Sequence, residues 1–452
     1  MSVSAANPTA PRYIPRSSWW VWALVGLVAF ASLGYDLASQ PPFVDESAYL
    51  SQTYYADLWR NGELDHPAWL DRPAYDLPPL PKFLFGVALR IVGQRRPGPA
   101  EAEAWYRDTS KTFVTPTALM AARWPSVILG AMGCVAIYGL GVLAAGRRVG
   151  VLAALLLMIN PLYRMHARRA MSDVPCEAFM LLCLVVALWS WRETLAGRFG
   201  ISRMLASGLA GVFGGLAALS KLTGGLAMIV LAAWVLLAIS SPGVRVPRRV
   251  AVVVSTLVSG VVAFVVFLAL NPFLTARPQG PLSPEREAIA RMNLRERLGL
   301  LITYRMWSSR SQQDTFRHNA LVTPSEKIKA IAVQGFGRFG PLGPHSSDST
   351  IRFDPAQDWG AVIWWPCVIG GVAWAWSRGR RQRAEEEPPT AWAILAEAAV
   401  AGGVVTAILP MAWDRYYLSL QPATSLLAAG GLVAAFDRLA SVFPTRPRTG
   451  RA

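Results

Sequence analysis

About ten stretches of this chain are apolar over roughly the 20 residues an α-helix needs to cross a bilayer, and no other feature limits the fold so tightly. They fall near 18–37, 119–145, 149–164, 173–191, 204–220, 223–240, 250–270, 359–376, 391–411 and 418–436. Inside lipid every backbone N–H and C=O must find its partner within the segment, so each run is predicted as a helix. Composition agrees. Of 452 residues, 53% are hydrophobic and only 16% charged, too few charges to cover a water-exposed surface of this size. The expectation is an all-α integral membrane protein. The first run has no evident small-residue cleavage site after it and reads as a retained anchor. The stretch LPKFLFGVALRIVG, 80–93, is too short to span and is predicted to lie along the interface.

Basic residues set the orientation, because cytoplasmic connections of membrane proteins are enriched in Lys and Arg. With the N-terminus inside, the cytoplasmic segments carry Arg12 and Arg16, Arg147–Arg148, Arg192 to Arg203, Arg245 to Arg249, Arg378 to Arg383, and a tail with Arg446, Arg448 and Arg451. Both termini are then cytoplasmic. This layout absorbs much of the net charge of +16, so no nucleic-acid partner is expected. Cys134, Cys176, Cys183 and Cys367 all lie in apolar runs and read as small core residues, neither paired nor metal-binding.

The same layout leaves 38–118, the turn 165–172 and 271–358 on the outer face, and long loops are uncommon unless they carry function. It suggests a transmembrane module over 1–270, an outer loop region over 271–358, and C-terminal spans with a basic tail over 359–452. The two large outer loops are expected to cap the bundle over a cavity open sideways to lipid. Within the second, EREAIARMNLRERLGLLITYRMW is predicted as one helix on the membrane surface.

Three groups of residues invite chemistry. Asp45-Glu46 follows the first span, where a shielded carboxylate can act as a general base; a solvated interface pair is the plainer reading. Asp173, in ARRAMSDVP, either helps cap the next helix or completes a charged site. Lys82, Arg123, Arg168, Arg169, Lys221 and Arg415 are cations on the outer side, against the topological bias. A phosphate or pyrophosphate would suit them as counter-ion, and so would internal pairing with Asp45, Glu46 or Asp173. His66, His166, His318 and His345 are too scattered to suggest a metal site. Tyr54, Tyr55, Trp59, Trp69, Trp105 and Tyr106 suit an interfacial belt. No P-loop, GxSxG or HExxH motif supports nucleotide, serine or zinc hydrolysis.

Taken in order, several of these segments resemble the protein O-mannosyltransferases. FVDES followed by AYDLPPLPKFLFG resembles their first outer loop, MAARWPSVILGA their arginine-bearing helix, HARRAMSDVPCEAFML their R…D segment and GLAALSKLTGG their lysine segment. WDRYYLSLQP resembles the ending of related bacterial enzymes that add aminoarabinose to lipid A. The resemblance covers most of 20–240 and a short piece near 410–422. It implies the GT-C fold and a sugar donor carried on a lipid phosphate. Asp76-Leu77 departs from the eukaryotic Asp-x-His pattern, and 271–358 is too short for the soluble sugar-binding insert of those enzymes.

By this resemblance Asp45 would be the base, with Glu46 supporting it and Asp173 shaping the site. Arg123 and Lys221 would hold the carrier phosphate, with Lys82, Arg169 and Arg415 assisting. Transfer from a polyprenyl-phosphate sugar would invert the anomeric centre and ask for no divalent metal or other cofactor. The acceptor is left open among protein, glycolipid and cell-wall polymer. The missing insert and the Arg- and Ala-rich composition point to a bacterial inner membrane, with the reaction on its outer side. The competing classes are a lipid-linked sugar transporter or flippase, which predicts polar mid-span residues and repeated halves, and a non-catalytic assembly protein.

Overall fold

The computed structural model describes residues 19–108, 114–241, 243–344 and 353–442. Arg12, Arg16, His345 and the tail arginines lie outside the described residues. Among the described residues the chain is all-helical, and the only β-contact is an isolated bridge between Ala320 and Met411. Nine helices there are long and apolar enough to span a membrane: Trp19–Ser39, Pro116–Ala145, Asp173–Leu195, Ile201–Ser220, Leu222–Ser240, Val246–Ala269, Gly360–Ala384, Thr390–Ile408 and Asp414–Val442.

The expected span near 149–164 is broken into Arg147–Ile159 and Pro161–Ala167, bent by 68°. Pro161 has no N–H to continue the ladder, and Asn160, in extended backbone, caps the second piece by accepting from the Tyr163 N–H. The Asn160 amide also donates to Gln421 Oε1, which ties the bend to the last span.

A second break positions Lys221. Ile201–Ser220 ends where Lys221 turns extended, and a short 3-10 turn over Leu222–Gly225 starts the next helix. That turn folds back so tightly that a Cβ on Gly224 would lie 2.3 Å from the Ala217 carbonyl carbon, so only glycine fits. Close packing continues below: Gly211 and Gly215, four apart, let Ile201–Ser220 approach the backbone of Ser259 and Ala263.

The basic connections meet at one end of the bundle. Arg192 donates to the Leu143 carbonyl, Arg378 to that of Ala144, and Arg248 to that of Leu195. Asp173–Leu195 is 23 residues, about 34 Å at 1.5 Å per residue, so Asp173 stands at the far end.

At that far end the segments either side of the spans build a cap. Arg286 grips Asp71 with two hydrogen bonds of 2.7 and 2.9 Å, Arg305 reaches Asp76 at 3.0 Å, and the Arg277 N–H donates to Asp65. Beneath them Tyr54, Tyr55, Leu58 and Trp69 pack with Phe273 and Leu274. Two expectations need correction here. Tyr54, Tyr55, Trp69 and Trp105 are buried inside protein, so of the six proposed belt aromatics only Trp59 and Tyr106 are exposed. The single amphipathic helix is two, Pro284–Arg291 and Leu294–Thr315, because Asn293 leaves the helix and caps the second with Glu296 in a capping box. The short stretch at 80–93 does form a helix, Leu80–Ile91, and it buries Phe85 and Leu89 against protein.

Candidate functional site

The site is built where Val44–Leu50, the 168–173 connection, Lys221 and the Asp414–Leu420 turn meet, at the end of the bundle away from the arginine-rich connections. Helix Val44–Leu50 carries the acidic dipeptide in its first turn, and its two members face different ways. Glu46, 1% exposed, accepts from Arg123 Nε and the Ala170 N–H on Oε1, and from Arg123 Nη2 and the Phe43 N–H on Oε2, all at 2.8–3.0 Å. Arg123 fills its remaining donors with the carbonyls of Leu37, Gln40 and Pro41. This buried bidentate pair fixes the acidic helix against the 168–173 connection and leaves Arg123 no free face.

Asp45 points the other way, to Arg415, whose Nη1 donates to Asp45 Oδ2. Arg415 also lies over the rings of Trp413 and Tyr416, at 4.9 and 5.5 Å from their centroids. Asp173 heads its helix without capping it. Its Oδ1 accepts from Lys221 Nζ at 2.8 Å, while the Ser172 hydroxyl accepts from Tyr49 at 2.6 Å. Burial first, and then the Asp173 and Asp45 carboxylates, hold the Tyr49 phenol well above its usual range. Lys221 Nζ stands 5.8 Å from the Tyr416 ring centre. Arg169 lies over Phe43 at 4.2 Å; burial lowers its pKa, and Asp414 and Glu46 oppose that shift.

Of the eight residues predicted from sequence, Asp45, Glu46, Arg123, Arg169, Asp173, Lys221 and Arg415 therefore share one neighbourhood. The internal pairings Asp45–Arg415, Glu46–Arg123 and Asp173–Lys221 are all present. Lys82 stands apart: 1% exposed, it donates to the carbonyls of Pro73 and Leu77 and sits 4.7 Å from the Tyr55 ring centre, a strut of the cap. Burial pushes its ammonium down to about 7. Arg168 bonds the Tyr35 and Asp36 carbonyls at the end of the first span.

Sequence reasoning missed three members. Asp414 accepts the Arg415 N–H at 2.6 Å and lies 3.7 Å from Nε2 of the buried His166. Glu177, one turn below Asp173, is 3% exposed and lies near Ser419. The position of Glu177, four residues after Asp173 in an apolar helix, was a readable signal; His166 had none beyond its nearness to Asp173.

Residues 112–270 match the family model described as dolichyl-phosphate-mannose-protein mannosyltransferase. No curated protein sequence matches. Among solved structures the chain is similar to ArnT from Cupriavidus metallidurans bound to undecaprenyl phosphate, with 16% identity and a TM-score of 0.51 over 96% of this chain and 67% of that one. It is also similar to the oligosaccharyltransferase AglB from Archaeoglobus fulgidus in complex with an inhibitory peptide and a dolichol-phosphate, with 14% identity and a TM-score of 0.55 over 96% of this chain. The chain spans about half, 52%, of that protein's length. The fold is that of the GT-C superfamily of membrane glycosyltransferases, as the motifs implied. The matched segment, about a third of the chain, is similar to the protein O-mannosyltransferase family model.

Proposed function

We propose that this chain transfers a sugar from a polyprenyl-phosphate carrier to an acceptor hydroxyl or phosphate, on the extracytoplasmic side of a bacterial inner membrane. The observation that carries the reading is the meeting of two cation–carboxylate pairs, Asp45–Arg415 and Asp173–Lys221, under a cap at the end of the bundle opposite the arginine-rich connections. By the positive-inside rule that end is extracytoplasmic, with both termini in the cytoplasm.

The pairs supply what the chemistry needs. A departing polyprenyl phosphate gains negative charge, and Lys221 and Arg415, with Arg169 beside them, are placed to neutralise it. Where the acceptor is a hydroxyl, Asp45 serves as its base. Taking up its proton cancels the charge that holds Arg415, which frees the guanidinium for the phosphate as the glycosidic bond breaks. Base and clamp thus act in one step, and attack from the face opposite the phosphate inverts the anomeric centre. Asp173 aims Lys221. Arg123 and Glu46 hold the frame and do not touch substrate. The positive charge comes from side chains, so the reading needs no divalent metal.

The test uses the purified protein in liposomes with a panel of radiolabelled undecaprenyl-phosphate sugars and a bacterial membrane extract as the source of acceptor. Wild type is expected to discharge one of them, and Asp45→Asn and Lys221→Ala are expected to lose that activity. Equal discharge by Asp45→Asn would remove the base, and discharge of none by wild type would remove the proposal.

A further inference from the structure

One buried ring in the site takes no part in that scheme. His166 is 1% exposed, and neither Nδ1 nor Nε2 has a hydrogen-bond partner. Burying two unbonded nitrogens is costly, and a group that bonds one of them would recover that cost. The fold aims it deliberately: the 68° bend at Asn160-Pro161, held by Gln421, turns the short helix that carries it toward the Asp414–Leu420 turn.

Asp414 decides what His166 can bind. Nε2 lies 3.7 Å from Asp414 Oδ1, and a carboxylate offers only lone pairs. At that distance there is no hydrogen bond, but the negative charge favours the hydrogen on Nε2 in the neutral ring. Nδ1 is left as a buried lone pair. A phosphate oxygen is repelled by a lone pair, whereas a hydroxyl donates to it. Lys221, Arg415 and Arg169 already serve the anion, so the unused acceptor suits the uncharged part of the substrates.

We propose that His166, its Nε2 turned toward the Asp414 carboxylate, accepts a hydrogen bond at Nδ1 from a substrate hydroxyl. The inference rests on the glycosyl-transfer reading, and the hydroxyl belongs either to the transferred sugar or to the acceptor.

The geometry makes a test that a merely structural role does not meet. In His166→Asn the amide oxygen falls near the Nδ1 position, while in His166→Gln the amide falls near Nε2 and in His166→Leu neither nitrogen is replaced. With the full-length protein in liposomes and the undecaprenyl-phosphate sugar that wild type discharges, His166→Gln and His166→Leu should lose roughly 10- to 100-fold in kcat/KM. His166→Asn should stay within a few-fold of wild type. A raised KM for the donor assigns the hydroxyl to the sugar; an unchanged donor KM with a fall confined to acceptor turnover assigns it to the acceptor. Three variants all within twofold of wild type, or all falling together with a lowered Tm, would overturn the inference while leaving the transfer reading intact. Wild type discharging no donor would overturn both.

Discussion

The adjacent acids Asp45 and Glu46 look equivalent in sequence, yet the structure predicts that neutralising each has an opposite kind of effect. Glu46 and Arg123 are 1% and 2% exposed at their side chains and share two bonds. Removing one charge of a buried pair leaves the other uncompensated and costs about 3–5 kcal/mol. Glu46→Gln should therefore lower the thermal midpoint clearly and reduce activity only as folded protein is lost. Asp45 and Arg415 are 31% and 21% exposed, so their attraction is partly screened by solvent and contributes about 1 kcal/mol or less to stability. Asp45→Asn should leave the midpoint close to wild type and abolish transfer. Replacing both partners by apolar residues, Glu46→Leu with Arg123→Met, should recover part of the stability lost in Glu46→Gln, because the uncompensated charge is gone. Recovery stays partial, since the Gln40 and Pro41 carbonyls lose their donor. Scanning fluorimetry in detergent beside a discharge assay reads both quantities. A stable Glu46→Gln, or an Asp45→Asn that unfolds early while its surviving fraction transfers normally, would refute the division.

Other expectations follow from single contacts. Gly224→Ala places a methyl 2.3 Å from the Ala217 carbonyl carbon, so the turn must open and Lys221 must leave Asp173; transfer should fall at least tenfold with Lys221 itself unchanged. Breaking one cap clamp, as in Arg286→Ala, should cost only about 1 kcal/mol or less, because Arg286 and Asp71 are 38% and 29% exposed; a larger loss of Tm would show the cap to be more cooperative than its contacts. Lys82, pushed down to about 7 in the fold from an ordinary 10.5, binds fewer protons folded than unfolded between those values. Stability should therefore rise from pH 7 toward pH 10, and Lys82→Met should flatten that rise in a pH series of midpoints.

Much of the architecture was legible because lipid imposes a simple rule: apolar runs of spanning length become helices, and the chain has little else. The run near 149–164 was found, but its bend was not, although Asn160-Pro161 is a local breaker signal; only the tie from Asn160 to Gln421 across the bundle lay beyond sequence. Motif order singled out seven residues that the fold brings together, while missing Asp414, Glu177 and His166, and the pairings were not legible at all. Glu46 meets Arg123 across 77 positions and Asp45 meets Arg415 across 370, separations at which local periodicity carries no signal. For the same reason Lys82 read as a free cation until Pro73 and Leu77 appeared around it, and the belt aromatics read as interfacial until Phe273 packed against them.

The most direct measurement is a structure of this protein with undecaprenyl phosphate bound. Phosphate density within hydrogen-bond reach of Lys221 Nζ and the Arg415 guanidinium, with Arg415 drawn off Asp45, is what the account predicts. Density seated instead among Arg192, Arg248 and Arg378, with the Asp45–Arg415 pair closed, would contradict it.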